Sequence, residues 1–341
     1  MPVSLNYVVK RLIVSFLVII GVAIISYIIL IVTPGDPAVK WAGNPRGPGA
    51  AEAIELARRE LGLDKPLHVQ VLNFAWNVLT GNLGLSIATK QPVTQVIYTG
   101  FTSTLELLVF TYALAIPLGV FLGFYAALKR GSIVDQVVMS MGVILASTPS
   151  FWFATVLLAL FSITGLKPYG RISKYLQVAT GFQPITGFYL LDSMIQGNWI
   201  VFMDVLTRMI PACIAVSVYP IGTLSRVVRT LVAESLLEDY VKAAVAWGID
   251  KSTILRAYIL RSIIPPVVQI AGLSFAYSLV DAMVVEAVLG REGLGQLLLT
   301  SIRETDFRVA VGLITYVAMF FIVVNTLVDV LQSYIDPRVR L

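Results

Sequence analysis

Residues 231–266 read LVAESLLEDYVKAAVAWGIDKSTILRAYILRSIIPP. This segment is charged and helix-forming, yet it lies between two apolar runs, 209–228 and 262–289, that are long enough to cross a membrane. A membrane protein with such a segment between two spans presents a docking surface on one side of the bilayer. If a soluble partner binds that surface, the protein is driven by a component that it does not itself contain.

The composition places the chain in lipid. Of its 341 residues, 57% are hydrophobic and only 13% are charged, whereas a soluble domain carries about 25% charged residues. The net charge of +5 is explained by Lys and Arg at cytoplasmic membrane edges. We therefore expect the chain to be embedded in membrane lipid and not to bind nucleic acid.

Hydropathy predicts an all-α membrane protein with about six transmembrane helices. A run of about 20 apolar residues suffices for each span. We interpret the first run as a retained anchor, because it is longer than the apolar core of about 7–15 residues in a signal peptide. The third run is long enough to tilt or break, with Pro149 near its middle. The predicted spans are 12–32, 105–128, 133–166, 209–228, 262–289 and 309–335.

The charge pattern predicts a cell-membrane protein with both termini in the cytoplasm. The short flanks of the spans carry Lys10, Arg11, Lys129, Arg130, Arg338 and Arg340. Loop 231–261 then faces the cytoplasm, and the polar stretches 33–100 and 167–207 face outward. We divide the chain into an N-terminal end with the first helix (1–32), an extracellular insertion (33–100) and a transmembrane core (101–341).

The extracellular insertion is predicted to contain helices at 50–61 and 67–79. Leu72, Phe74, Trp76 and Leu79 supply apolar surface that the second helix can bury. In the transmembrane core, Gly119 and Gly123 have the small-residue spacing that permits close contact between helices.

No catalytic or metal-binding set is visible in the sequence. A Gly-x-x-x-x-Gly-Lys-Ser/Thr phosphate loop is missing, so we do not expect this chain to bind and hydrolyse ATP by itself. Cys213 is the only cysteine and His68 the only histidine, whereas a metal site needs several donors.

Four carboxylates fall within the predicted spans, and an intramembrane acid is costly and therefore a functional suspect. Glu106, Glu286 and Asp329 lie within about two turns of a membrane edge, where water or a helix cap can satisfy them. Asp281 lies deeper. Two roles stay open for it: lining a translocation path, or pairing with a neighbouring helix.

Loop 231–261 contains an amphipathic helix. Gly248 ends this helix, and a second short helix follows with Asp250 or Ser252 as its N-cap. The helix either rests on the lipid surface or inserts end-on into a groove of a soluble motor. Its apolar residues recur at helical spacing, while Glu238, Asp239 and Lys242 fall on other faces. The apolar set is Leu236, Leu237, Tyr240, Val241, Ala244 and Trp247.

These residues resemble the membrane-spanning permease subunits of ABC importers, specifically the dipeptide/oligopeptide type. Residues 239–248 are similar to that family's EAA loop, whose helix couples to the ATPase. Further family-like motifs follow in the right order along nearly the whole chain. They are Pro34-Gly35-Asp36-Pro37, LGLDKPL at 61–67, GNLGLS at 81–86, Thr104-Leu105-Glu106-Leu107, STPSFW at 147–152, Glu286 with Gly293-Leu294-Gly295, and DPRVR at 336–340.

The resemblance implies the type I importer permease fold with a cytoplasmic coupling helix. It implies a second homologous permease subunit, two cytoplasmic ATPases that use ATP and magnesium, and an external solute-binding protein, with no cofactor bound by this chain. Asp281, Glu286 and Pro149 become candidates for the translocation path. The residues expected to couple to the ATPase are Glu238, Asp239, Tyr240, Lys242, Ala243, Ala244, Trp247 and Gly248.

The sequence also departs from the family pattern. Val245 and Trp247 stand where the family usually has Arg and Lys, Lys242 where the generic loop has Glu, and Arg291-Glu292 where Trp-Pro is usual. These changes predict a more apolar contact with the ATPase. Peptides are the expected solute, and oligosaccharides or a metal chelate remain alternatives.

Two other classes of membrane protein fit the sequence less well. A secondary transporter needs inverted repeats and broken helices at the midplane, and no convincing repeat is found. A membrane-embedded enzyme needs polar groups that converge within the spans, and Asp281 alone gives poor support for one.

Overall fold

The computed structural model describes residues 5–32, 35–165 and 168–335. Within these ranges the chain forms helices and no strand, apart from an isolated antiparallel bridge between Leu85 and Pro92. The motif at 336–340, Arg338, Arg340 and Pro34 lie outside the described residues.

The helices are, in order, α1 (Leu5–Val32), α2 (Pro37–Trp41), α3 (Ala50–Glu60), α4 (Leu67–Leu79), α5 (Val93–Leu128), α6 (Ile133–Ser147), α7 (Ser150–Ile163), α8 (Lys174–Thr180), α9 (Tyr189–Ile195), α10 (Trp199–Ser235), α11 (Asp239–Ala246), α12 (Lys251–Thr253), α13 (Leu260–Leu289), α14 (Leu294–Arg303) and α15 (Phe307–Ile335). A π-helical turn, Ile254–Ile259, joins α12 to α13.

The prediction of an all-α membrane protein is confirmed. Four helices are long and apolar enough to cross a bilayer, namely Val93–Leu128, Trp199–Ser235, Lys251–Leu289 and Phe307–Gln332. The pair α6 and α7 is bent by 98° and adds a fifth span if it is taken as one. Within α1, Ile13–Ile28 is a shorter apolar helix. The count of about six spans therefore stays a prediction.

The predicted break in the third span lies at Thr148-Pro149. The proline ring cannot continue the hydrogen bonds of α6, and it serves as the N-cap residue of α7. Two other spans begin earlier than hydropathy predicts, because α5 starts at Val93 and α10 at Trp199. Hydropathy detects only the part of a helix in lipid, whereas the backbone hydrogen bonds continue into the polar flank. The outward stretch predicted at 167–207 is correspondingly shorter.

The core of the helix bundle depends on close contact between α5 and α10. A Cβ atom on Gly119 would lie 2.7 Å from Leu224 Cβ, and one on Gly123 would lie 2.8 Å from Val228 Cβ. Neither position has room for a side chain, so the predicted role of both glycines is confirmed. A similar contact, absent from our predictions, joins Gly142 of α6 to Gly222 of α10.

The segment between α1 and α5 packs against α1 through one stripe of α4. Val71, Phe74, Ala75 and Val78 face inward, and Phe74 stacks on Tyr27 of α1 with ring centroids 5.1 Å apart. The prediction of buried apolar surface was right for Phe74 and wrong for Leu72, Trp76 and Leu79, which are exposed. A helix can turn only one face toward its neighbour, and these three residues lie on the other face.

Candidate functional site

One face of helix α11 packs against the helix bundle, and the opposite face is exposed. Val241 and Ala244 are buried in a cluster with Ile254, Ile259 and Ile263, which belong to the π-helical turn and α13. The predicted apolar set is therefore divided between two faces. Val241 and Ala244 hold the helix in place, Leu236 packs partly against the cluster, and Leu237, Tyr240 and Trp247 face outward.

The C-terminal end of α11 and the start of α12 are fixed by local hydrogen bonds. Gly248 has φ +75°, and its N–H donates to Val245 O while the N–H of Ile249 donates to Ala244 O. This is a Schellman motif, which confirms Gly248 as the end of the helix. Of the two predicted caps for α12, Asp250 is the one used, since it accepts the N–H of Thr253 at 2.9 Å.

The exposed polar residues of α11 are mostly acidic. Glu238 is the N-cap residue without a side-chain cap bond, and Asp239 accepts a hydrogen bond from Lys242 Nζ at 2.8 Å. That hydrogen bond lowers the pKa of Asp239 below its ordinary value. Ala243 is exposed beside Lys242. The exposed face of α11 thus consists of apolar side chains bordered by acidic ones. Its largest side chain, Trp247, is 85% exposed.

Asp281 pairs with a neighbouring helix, which is one of the two roles that the sequence left open, and its place on the translocation path stays a prediction. Its Oδ1 accepts a hydrogen bond from Ser150 Oγ at 3.0 Å, which joins α13 to the first residue of α7. The residue is nevertheless only half-buried, and neither of its carboxylate oxygens is both buried and without a hydrogen bond. Pro149 stands directly before Ser150 at the 98° bend. The structure therefore brings Pro149 and Asp281 together at the break between α6 and α7.

Glu286 is fully buried and caps another helix. Its Oε1 accepts a hydrogen bond from Thr104 Oγ1 at 2.8 Å, and its Oε2 accepts the N–H of Gly295 at 3.0 Å. Gly295 lies in the first turn of α14, where backbone N–H groups lack helical partners. Its predicted place on the translocation path stays a prediction, and it does not lie beside Asp281 and Pro149 at the bend.

Glu106 is the centre of a buried ion pair network. Arg171 Nη2 lies 2.8 Å from Glu106 Oε2, and Arg291 Nη2 lies 3.7 Å from the same oxygen. The other oxygen accepts the N–H of Leu190 in the first turn of α9 at 2.7 Å. For Glu106 and Glu286 the second of the predicted alternatives holds, because each caps a helix and neither reaches water. Asp329 is half-buried in α15.

The two arginines in this network were not predicted from the sequence. Arg171 follows α7 in a stretch predicted to be an outward loop, yet it is buried and stacks on Tyr189 at 3.5 Å from the ring centroid. Arg291 follows α13 and is also buried, with Nη2 3.8 Å from Met209 Sδ. The departure from the usual Trp at residue 291 was the available signal. We call Glu106, Arg171, Glu286 and Arg291 the buried charge cluster.

Nothing in the described ranges resembles a metal centre, since no group of three or more His, Cys, Asp or Glu residues is close enough to hold an ion. Cys213 is buried in the apolar core. The arrangement offers binding surfaces and a half-buried carboxylate, which are the parts of a conducting or coupling protein.

Two family models together match nearly the whole chain. One is described as "Binding-protein-dependent transport system inner membrane component" and matches residues 119–341. The other is described as "Binding-prot-dependent transport system membrane comp, N-term" and matches residues 4–108.

Curated proteins from several bacteria are similar over nearly their full length. The chain is 34% identical to the "Probable D,D-dipeptide transport system permease protein DdpB" of Escherichia coli (strain K12), over 95% of this chain and 94% of that protein. It is 33% identical to the "Dipeptide transport system permease protein DppB" of the same strain, with 98% and 99% covered. It is also 33% identical to the "Di/tripeptide transport system permease protein DppB" of Pseudomonas aeruginosa (strain UCBPP-PA14), with 98% and 99% covered.

Proposed function

Because the chain belongs to the family of inner membrane components of binding-protein-dependent transport systems, we propose that it is a permease subunit of an ATP-driven importer of short peptides. The similarity to peptide permeases over nearly the full chain carries this conclusion. The same similarity favours peptides over oligosaccharides or metal chelates. The chain is a membrane transport protein and not a catalytic enzyme.

The complete machine contains partners that this chain lacks. We assign to it a second homologous permease subunit, two ATPases that bind ATP and magnesium, and an external solute-binding protein. The family description, which names a binding protein and an inner membrane component, supports this composition. We place both termini and α11 in the cytoplasm, on the basis of the Lys and Arg residues at the short flanks.

Helix α11 is the element that we assign to the ATPase. Helices that lie on a membrane surface are rich in Lys and Arg, and acids are repelled by the negative cytoplasmic leaflet. The exposed polar residues of α11 include Glu238 and Asp239, and its Lys242 is already bound to Asp239. This charge distribution favours a protein groove over lipid as the neighbour of Trp247 and Tyr240.

The transport cycle is a switch between two packings of the helices. ATP closes the ATPase pair, and α11 moves with the ATPase it contacts. The anchoring of Val241 and Ala244 against the π-helical turn and α13 passes that motion to the spans. The path opens outward to accept the peptide and then inward to release it, without a chemical step on the peptide.

The translocation path is assigned to the surface around Asp281 and the bend at Pro149. A carboxylate that faced hydrocarbon would be strongly disfavoured, so an accessible Asp281 within a span requires water or a partner at that surface. The broken helix supports the same placement, because irregular backbone at membrane depth is tolerated where it lines a cavity or is buried in protein.

Purification of the tagged chain from its native membrane tests the proposal. We expect a homologous permease, ATPase subunits and an external binding protein to co-purify, and the complex in liposomes to take up dipeptides only with ATP. A chain that purifies alone and takes up solute with a proton gradient in place of ATP would make it a secondary transporter.

Replacing Trp247 with alanine is expected to weaken binding of the ATPase. A buried interface Trp contributes about 2 kcal/mol or more, which corresponds to roughly 30-fold in affinity. Retention of the ATPase on the tagged permease measures the effect. Trp76→Ala is the matched control, because Trp76 is 67% exposed on α4 and distant from α11 in the chain. Equal retention in the two variants would contradict the assignment of α11.

A further inference from the structure

We propose that Asp281 acts as a charge filter on the translocation path, so that peptides with a cationic side chain pass faster than anionic peptides. This inference rests on the proposed function, because it concerns the path of the same importer. Four observations carry it: the depth of Asp281, its uncompensated charge, the orientation of the carboxylate and the exposed surface around it.

Asp281 lies well inside the membrane-spanning helix α13. The helix ends eight positions further on, at Leu289, which corresponds to about 12 Å at a rise of about 1.5 Å per residue. Helix α13 belongs to a helix long and apolar enough to cross the hydrocarbon layer of about 30 Å, and we place the carboxylate below the headgroup region. A negative charge at this depth acts on a solute through a medium that screens it less than bulk water does.

The charge of Asp281 is not neutralised within the described part of the chain. Other acids near the ends of spans are paired: Glu106 with Arg171 and Arg291, Asp135 with Arg229, and Asp204 with Arg208. No described basic side chain forms an ion pair with Asp281, whose recorded partner is the neutral hydroxyl of Ser150. A passing cation therefore meets an acidic side chain that has no basic partner among the described residues.

The carboxylate is held in position by α7. Ser150 is the first residue of that 14-residue helix, and it donates to Oδ1 of Asp281. The amino-terminal end of a helix carries a partial positive charge, which attracts an acidic side chain. With Oδ1 held by Ser150, the Oδ2 oxygen has no hydrogen bond to the described part of the chain and can accept one from a solute ammonium group.

The surface around Asp281 is open. Tyr277 lies one helical turn before Asp281 and Val284 lies one turn after it, and both are exposed. Phe151, directly after Ser150 at the bend, is exposed as well. Since lipid would not solvate the carboxylate, this surface faces the aqueous path between the two permease subunits.

Paired dipeptides of opposite charge test the filter. The complete importer in liposomes, with saturating binding protein and ATP, would be assayed for the maximal uptake rates of Ala-Lys and Ala-Glu. We expect Asp281→Asn, which keeps a hydrogen-bond acceptor for Ser150, to lower the Ala-Lys to Ala-Glu ratio by about threefold or more relative to wild type. The same binding protein serves both variants, so its own preference cancels in the comparison.

A second variant and a control complete the experiment. Val284→Lys adds a positive charge on the exposed face one turn from Asp281 and is expected to lower the ratio in the same direction, even if Asp281→Asn does not assemble. Glu304→Gln removes an acid bound to Lys40 at 3.1 Å outside the path and is expected to leave the ratio unchanged. An unchanged ratio in Asp281→Asn or Val284→Lys overturns the filter. A wild-type complex that imports neither dipeptide with ATP would instead overturn the proposed function.

Discussion

Replacing Glu106 with alanine is expected to destabilise the protein by about 3–5 kcal/mol, the usual cost of removing one partner from a buried ion pair. The substitution leaves Arg171 and Arg291 in the protein interior without the oxygen that both contact. It also removes the acceptor for the N–H of Leu190 at the start of α9. Two buried positive charges and an uncapped helix then remain together.

Thermal unfolding and the yield of monodisperse protein in detergent measure this effect. Glu304→Ala is the control: Glu304 is 61% exposed and paired with Lys40, and such a surface pair contributes about 0–1 kcal/mol. Equal unfolding temperatures for the two variants would show that the buried charge cluster does not hold the fold together.

A compensated variant separates charge from packing. Glu106→Leu combined with Arg171→Met and Arg291→Met removes the three groups of the ion pair network together, and replacement of a buried ion network by apolar side chains of similar volume is often neutral or stabilising. We expect this triple variant to unfold at a higher temperature than Glu106→Ala. A triple variant less stable than Glu106→Ala would indicate that the two arginines stabilise the protein through contacts other than the ion pairs with Glu106, such as that of Arg171 with the carbonyl oxygen of Gly187.

Replacing Gly295 with alanine is expected to prevent α14 from docking against α13 and to abolish uptake. A Cβ atom at this position would lie 2.6 Å from the Cα atom of Met283 and closer still to its carbonyl oxygen. Both are backbone atoms of α13, so the contact cannot be relieved by turning a side chain. A forced shift of this kind costs about 1–3 kcal/mol or more, and it moves the Gly295 N–H away from Glu286.

Gly21→Ala is the matched control for this substitution. Gly21 lies in α1, and a Cβ atom there would meet nothing within 4 Å. Alanine is favoured over glycine inside a helix by about 0.5–1 kcal/mol, so we expect normal or slightly higher stability. Expression and ATP-dependent uptake should distinguish the two variants. Normal uptake by Gly295→Ala would mean that α14 can lie elsewhere without loss of function.

The sequence predicted the features that depend on local patterns. Periodicity located α4 and α11, the αL preference of glycine predicted the end of α11 at Gly248, and Pro149 predicted the break between α6 and α7. The close contact at Gly119 and Gly123 could also be predicted, because a small-residue spacing has one common use in membrane helices.

The buried charge cluster could not be predicted, because it depends on contacts between distant parts of the chain. Glu106 and Arg171 are 65 residues apart, and Arg171 stands in a polar stretch where a solvated arginine is the ordinary expectation. The outward orientation of Leu72 and Trp76 was missed for a similar reason. The sequence shows that α4 is apolar. Which of its faces is buried depends on the contact of Phe74 with Tyr27 of α1.

Helix α13 extends from one functional surface of the molecule to another. One end, at Ile263, packs against the back of α11, and the other carries Glu286, which holds the start of α14. Its 30 residues make a rod about 45 Å long. A displacement of α11 would therefore reach α14 through α13 alone. At the far end of α13, the hydrogen bond between Glu286 and the Gly295 N–H makes the connection. A single helix would thus couple the proposed movement of α11 to the position of α14.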